Sequence, residues 1–418
     1  MDKMIQPELL CPAGDMERLK AAVQYGADAV YLGGKEFGMR AAPQNFSGDA
    51  LREAADYCHE RGVRVHLTCN TLPRNDELAR LPDFLRDAQD AGVDAFIIAD
   101  FGVLRAAQKY APDVDIHMST QAGIVNYASA NALYELGVKR IVTAREVSLA
   151  EIAEIRANIP DDMEIECFVH GAMCMSFSGR CLLSNYLTGR DSNRGECAQP
   201  CRWRYHLIEE KRPGQEFEIT EEPNGTYIMN SQDMCMIDHI PELASAGVSS
   251  FKVEGRAKSA FYVAAVANAY RAAIDGYLAD PTTDYHPAQW ILDEVHKISY
   301  RDYCTGFYFN DPSEDAHMYY EGIYIRNWDV MANVLESDGT FVTVMQRNRF
   351  FEGDEFEVMM PGKPPVKLKV EEMYNADGER VEVAPNPMAV IKIRSDMDIP
   401  AGSILRMPVE AEKNRGKN

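Results

Sequence analysis

No apolar run in this 418-residue chain reaches the ~18 residues that a membrane-spanning helix needs. The opening stretch MDKMIQPELLCPAG has neither the apolar core nor the cleavage pattern of a secretory signal, so the cytoplasm is the expected compartment and no membrane partner is expected. Two hydrolase signatures are also missing. There is no His-Glu-x-x-His to hold a catalytic zinc and no Gly-x-Ser-x-Gly nucleophile elbow. An excess of cations is missing too: 43 Lys and Arg face 65 Asp and Glu, for a net charge of −22. Such a field repels nucleic acid at long range, so an RNA partner must meet a local basic patch. Thiols stay reduced in the cytoplasm, and the ten cysteines therefore read as free, metal-binding or catalytic rather than bridged.

What is present is a repeated unit. Short runs rich in Val, Ile, Phe and Tyr begin near residues 8, 29, 63, 95, 115, 140, 165 and 250. An amphipathic stretch follows most of them, with apolar stripes such as Leu51, Ala54, Ala55 and Cys58 at helical spacing. Gly26, Gly92, Gly137 and Gly247 each stand just before such a run, where a left-handed residue ends a helix. Eight strand–helix units predict an α/β fold, a (β/α)8 TIM-like barrel over residues 1–281; an open doubly wound sheet is the competitor. In both, chemistry sits at the carboxyl ends of the strands. Residues 282–322 read as a linker with one short helix, and 323–410 as a small all-β barrel of short strands separated by Asp338–Gly339 and Asp377–Gly378 turns. Residues 411–418 read as a tail.

The seventh unit is abnormal, because roughly seventy residues separate its strand from its helix. This insertion, 170–235, holds Cys174, Cys181, Cys197 and Cys201 in a C-x6-C-x15-C-x3-C spacing, and a hairpin is expected near 205–207 and 226–229. Four thiols in one cytosolic loop select zinc or an iron–sulfur cluster. Zinc knuckles favour C-x2-C pairs, which are absent here. Gly171, Gly179 and Gly195 permit close backbone approach, and Arg180, Arg194 and Arg202 offset thiolate charge. An iron–sulfur site leads, with zinc and unligated thiols as the other readings and Cys235 as an alternative fourth ligand to Cys201.

The segment ECFVHGAMCMSFSGRCLLS at 166–184 resembles the signature of the peptidase U-32 (collagenase-like) family, as do ELLCPAG at 8–14, DAVY at 28–31, NRGEC at 193–197 and FKVEGR at 251–256. The resemblance covers nearly the whole chain. It implies a [4Fe-4S] cluster on the four cysteines and an oxygen-independent hydroxylase. The chain length, the Cys197-x3-Cys201 pair and YIMNSQD at 227–233 resemble the tRNA branch. That branch implies prephenate as co-substrate, the tRNA anticodon loop as partner and 5-hydroxyuridine at the wobble position as product. It leaves room for a partner subunit of the same family. The alternatives are a collagenase-like peptidase, a hydroxylase of another substrate, and a cluster-bearing RNA-binding or electron-transfer partner.

Polar residues at the predicted strand ends are the remaining site candidates. Asn70, Asp100, Ser119, Gln121, His170 and Glu254 are candidate catalytic groups. Arg145 and Arg256, with Arg40 as a third, suit the carboxylates of a prephenate-like dianion, because guanidinium matches carboxylate bidentately. Each arginine has a competing role in an ion pair, Arg145 with Glu146 and Arg256 with Glu254. Arg202 and Arg204 belong to a basic-aromatic stretch, Arg190 to His206, that suits an unpaired RNA loop. Arg347–Phe350 is a second, weaker patch.

Overall fold

The computed structural model describes residues 6–409, apart from 40–44, 175, 177–179, 182, 193–194, 201–206, 209–215, 218–220, 223–224, 227–231 and 310–323. Eight strands pair in parallel in chain order: β1 (Glu8–Ala13), β2 (Ala29–Gly33), β3 (Arg64–Cys69), β4 (Ala95–Ile98), β5 (Asp115–Met118), β6 (Arg140–Val142), β7 (Glu164–Ala172) and β8 (Ser250–Val253). β8 pairs with both β7 and β1, which closes the barrel and rules out the open sheet. The intervening helices are α1 (Met16–Gln24), α2 (Asp49–His59), α3 (Leu81–Asp90), α4 (Phe101–Tyr110), α5 (Tyr127–Glu135), α6 (Leu149–Ala157), α7 (Ile240–Ser245) and α8 (Ala260–Ala279).

Local chemistry explains where these helices start and stop. Asp15, Asp100, Asn126, Ser148 and Ser259 each accept a backbone N–H of the first turn, so the donors that a helix start leaves unpaired are satisfied. Gly26 and Gly247 take φ of 100° and 85°, a conformation in which a Cβ would also collide with Arg271 or Arg156. The outward faces of the strands, such as Leu9, Cys11 and Ala13, pack with Leu19 and Ala22 of α1 into one continuous core.

The barrel interior is different. Branched apolar residues normally fill it in layers. Here only Leu10, Ala29, Tyr31 and Ile97 form a small apolar cluster inside, and buried Glu8, His66, His117, Arg140, Glu166 and Lys252 share the interior.

After α8 the chain stays on the barrel. Ile291, Val295 and Ile298 join its core, and the strand Tyr303–Cys304 pairs with Asp233–Cys235, which itself runs antiparallel to β7. A buried Arg301–Asp233 pair, Nη2 to Oδ1 2.7 Å, locks this edge. The expected hairpin falls partly outside the described residues.

The C-terminal domain is an antiparallel β domain. Its seven-stranded sheet runs Val366–Lys369, Glu355–Met359, Ile404–Pro408, Trp328–Ser337, Phe341–Gln346, Val390–Arg394, Met373–Tyr374. Its own core centres on Met331, Val344, Phe356 and Leu405. Arg406 ties it to the barrel side: Nη1 donates to Glu294 Oε2 at 2.9 Å and Nε to Glu357 Oε1 at 2.8 Å, all within a buried network. Arg347 pairs with Glu17 of α1, and Phe350 is fully buried, so the second basic patch of the sequence serves packing and domain contact.

Candidate functional site at the barrel mouth

The lower barrel holds a compensated charge network. Glu166 accepts from Lys252 Nζ at 2.5 Å and Arg140 Nη1 at 3.1 Å. Glu8 accepts from Arg140 Nη1 at 2.6 Å and Ser250 Oγ at 2.9 Å. Burial alone would raise both carboxyls, yet these cations hold both below the usual carboxylate range. His66 and His117 meet edge to face at 4.8 Å, and none of their four ring nitrogens has a protein partner. Burial lowers His66 to about 4 and His117 well below its ordinary value, so both rings are neutral. With Glu166 they bring three donor atoms within 4.8 Å of one another. Both Glu166 oxygens already face a cation, however. A divalent ion would sit against Lys252 and Arg140, so this trio is a structural network rather than a metal centre.

Above it, cations line the carboxyl end. Lys252 Nζ lies 4.8 Å from the Tyr31 ring centre and 5.4 Å from that of Phe168. The Arg145 guanidinium also lies over the Phe168 ring, 3.8 Å from its centroid; its Nη1 donates to the Ala172 carbonyl at 2.9 Å and its Nη2 lies 3.8 Å from Glu254. Arg256, 3 % exposed, donates from Nη1 to Thr68 Oγ1 at 2.8 Å. Its Nη1 lies 2.3 Å from where a Cβ on Gly33 would stand, so the glycine makes room for it. A line of contacts therefore runs across the mouth from Tyr31 through Lys252 and Phe168 to Arg145, with Arg256 at the β2–β3 side. The ion pair expected within the sequence neighbourhood is instead Arg145 with Glu254, across two loops.

The other candidates divide. Asp100 caps α4 through Oδ1, accepting from Gly102 and Val103 N–H at 2.7 and 3.0 Å. Asn70 Oδ1 accepts from Met39 N–H at 3.3 Å, and Ser119 caps the turn Thr120–Ala122; all three tie loops at the mouth. Gln121 is buried with its Oε1 unpartnered. His170 is buried against the rings of Tyr262, Tyr270 and Tyr303, at 5.4 to 5.9 Å, and burial lowers it to about 3. Arg40, Arg202, Arg204 and Cys201 lie outside the described residues. Sequence reasoning missed Lys252, Thr68 and Gly33. Lys252 left a signal, a lone charge inside the strand Ser250–Val253.

The cysteine loop sits over this mouth, since a Cβ on Gly195 would stand 3.0 Å from the Met39 backbone in the β2–α2 loop. Ser184 and Ser192, both buried, hold it together. Ser184 Oγ donates to the Arg190 carbonyl at 2.7 Å and accepts from Ala198 N–H at 3.0 Å; Ser192 Oγ donates to the Cys181 carbonyl at 2.6 Å. Cys174 and Cys197 are exposed and Cys181 half-buried. Burial would raise the Cys181 thiol, but hydrogen bonds from Ser176, Leu183, Ser184 and Ser192 lower it overall, which favours the thiolate that a metal requires. Gln199 N–H also donates to Cys197 Sγ at 3.4 Å. Thiolate sulfur is the donor that an iron–sulfur cluster takes. Cys235 stands apart on the strand Asp233–Cys235, 3.9 Å from Tyr270 Oη, where burial pushes its thiol up to about 12.

A closed barrel with a polar, cationic mouth beneath a cysteine-rich β7–α7 insertion, and a β domain on its flank, defines a class of (β/α)8 proteins. The particular family follows from comparison: the chain belongs to peptidase family U32. Residues 14–318 match that family and 326–406 match the peptidase family U32 C-terminal domain. The chain is 37% identical over 403 residues to tRNA hydroxylation protein P1 of Bacillus subtilis, covering 96% of this chain and 94% of that protein. It is 35% identical to tRNA hydroxylation protein P of Escherichia coli, covering 91% and 92%. It is 31% identical to a protein named collagenase from Porphyromonas gingivalis, covering 88% and 89%.

Proposed function

We propose that this protein is an RNA-modifying enzyme that hydroxylates tRNA, and that its product is 5-hydroxyuridine at the wobble position. Two relatives that match nearly end to end are named for tRNA hydroxylation. The observation that carries the chemistry is the cationic line at the mouth beneath the thiol loop. Arg145 and Arg256 bind the carboxylates of a prephenate-like co-substrate, while Lys252 is held by Glu166. Cys174, Cys181, Cys197 and Cys201 hold a [4Fe-4S] cluster. Such a cluster would supply electron transfer or a Lewis-acidic iron. The protein's own residues position: Phe168 and Tyr31 fix the cations, and Gly33 leaves the space for Arg256.

Peptide hydrolysis is disfavoured by His170. The one histidine near Cys174 in sequence is enclosed by three tyrosines and neutral down to about pH 3, which makes it a poor general base. The test is deletion of the gene followed by mass spectrometry of tRNA nucleosides. Loss of 5-hydroxyuridine and its derivatives, restored by the wild-type gene and not by Arg256→Ala, is the expected result. An unchanged nucleoside profile in a strain with no second copy overturns the proposal. Anaerobically purified protein should contain iron and sulfide. Cys181→Ala should lose them, whereas Cys235→Ala should keep them.

A further inference from the structure

The short helix Leu183–Thr188 lies between the second and third cysteines of the mouth loop. Its Ser184 is buried and bonds the loop on both sides, to Arg190 and Ala198. Leu183, Tyr186 and Leu187, at i, i+3 and i+4, are all exposed, Tyr186 at 86%. That spacing normally marks the face a helix buries. Here it is turned outward and left uncovered by any described residue. Two more aromatics stand at the same end of the barrel. Phe101 and Tyr127, 60% and 41% exposed, are the first residues of α4 and α5, the helices entered from the carboxyl ends of neighbouring strands β4 and β5. Exposed large apolar side chains on an isolated rim mark an interaction surface.

Charge at the rim selects the partner. Arg74, Arg180 and Arg190 are exposed on the mouth loops and enter no ion pair among the described residues. Arg180 and Arg190 bracket the apolar stripe along the chain, and Arg74 stands on the β3–α3 loop of the same mouth, in a protein of net charge −22. Asp76 and Glu196 are exposed on the same loops, so the local field is mild. A polyanion held here must gain most of its affinity from contacts other than phosphate attraction. Unpaired nucleobases meet that requirement: any base can stack on an aromatic face, and a few arginines suffice for the backbone.

We infer that the outward stripe of Leu183, Tyr186 and Leu187, with Phe101 and Tyr127, is a stacking platform that seats the unpaired bases of an RNA loop over the barrel mouth. This rests on the proposed function and specifies how that site receives its substrate. Because Tyr186 lies between Cys181 and Cys197, a base stacked on it places its neighbour beside the thiol loop. Three phosphate contacts predict a shallow salt dependence, a slope of log K on log salt of about −2 for single-stranded RNA.

The test uses anaerobically purified holoprotein and an unmodified anticodon stem-loop RNA, with binding read by fluorescence anisotropy. Tyr186→Ala and Phe101→Ala should each weaken binding by about 5- to 150-fold, with melting temperature and oligomeric mass unchanged. Arg180→Ala with Arg190→Ala should flatten the salt slope. Unchanged RNA affinity in both aromatic variants overturns the platform, and a shift in oligomeric mass on the same substitutions assigns the rim to a second copy instead. The two readings fail separately. If cells carrying Tyr186→Ala and Phe101→Ala still make the hydroxylated nucleoside at wild-type level while Arg256→Ala cells do not, the platform is wrong and the proposed function stands.

Discussion

Two buried histidines should make this protein take up protons when it unfolds in mild acid. A free imidazole titrates near 6.5. In the fold His66 is lowered to about 4 and His170 to about 3, each chiefly by burial. His170 faces three tyrosine rings, and the charged groups around it are Asp233, Lys258 and His296, whose effects oppose one another. Both shifts are downward. The stability they contribute is complete above the unfolded value near 6.5 and is lost as pH falls toward the folded values. At pH 5 an unfolded imidazole is about 97% protonated, while the folded rings are about 10% and 1% protonated, so unfolding binds about 0.9 and 1.0 proton. Between pH 7 and pH 5 each ring costs the fold about 1.8 kcal/mol. The assay is urea unfolding at pH 5 in weak buffer with an indicator dye, comparing wild type with His170→Gln. The wild type should take up about one proton more than the variant. A difference below about 0.3 would mean that the folded imidazole is already charged, and the argument from burial would fail.

Three further outcomes follow from the packing. Gly33→Ala places a Cβ 2.3 Å from Arg256 Nη1, so Arg256 must move; the variant should fold, with a melting temperature within a few degrees of wild type, and should show the same nucleoside loss as Arg256→Ala. Arg406→Met takes the guanidinium from the fully buried Glu294 carboxylate and leaves it Lys297 Nζ at 3.2 Å, which should destabilise the domain junction by up to about 3–5 kcal/mol and speed proteolysis between the domains. Adding Glu294→Leu to Arg406→Met should recover part of that loss, since an apolar pair removes the unpaired charge; no recovery would refute the ion-pair account.

The barrel was legible because its signals are local. Strand-length apolar runs recur eight times, four of them just after a helix-ending glycine, and all eight runs form barrel strands. The C-terminal strand Ile404–Pro408 was not legible, although it sits inside the sheet between two partners. Arg406 breaks its apolar pattern, and that arginine is buried because Glu294, more than a hundred residues earlier, and Glu357 meet it. The site was half legible for the same reason. Arg145, Arg256 and the cysteines carry chemistry in their own side chains. Asp100 and Ser119 sit at strand ends with the right functional groups, yet the structure gives their oxygens to capping N–H groups two and three residues away. Residue type at a strand end cannot separate a cap from a substrate contact, because both need the same acceptor.

The charged interior explains how an acidic protein can present a cationic mouth. Glu8, Glu164 and Glu166 oppose Arg64, Arg140 and Lys252 through direct contacts, so the lower barrel is neutral as a unit. Above it, the Arg145 guanidinium lies 3.8 Å from Glu254 and Arg256 donates to Thr68, which places two arginines at the mouth. Surface carboxylates account for the net −22, but at physiological salt a charge is screened over about 8 Å in water, whereas Arg256 is buried and screened far less. A carboxylate inside the mouth therefore feels the arginines, and a polyanion outside feels the acidic surface. That division would give the two proposed ligands different physics: ion pairing for a small acid within the barrel, and stacking with few phosphate contacts for RNA at its rim.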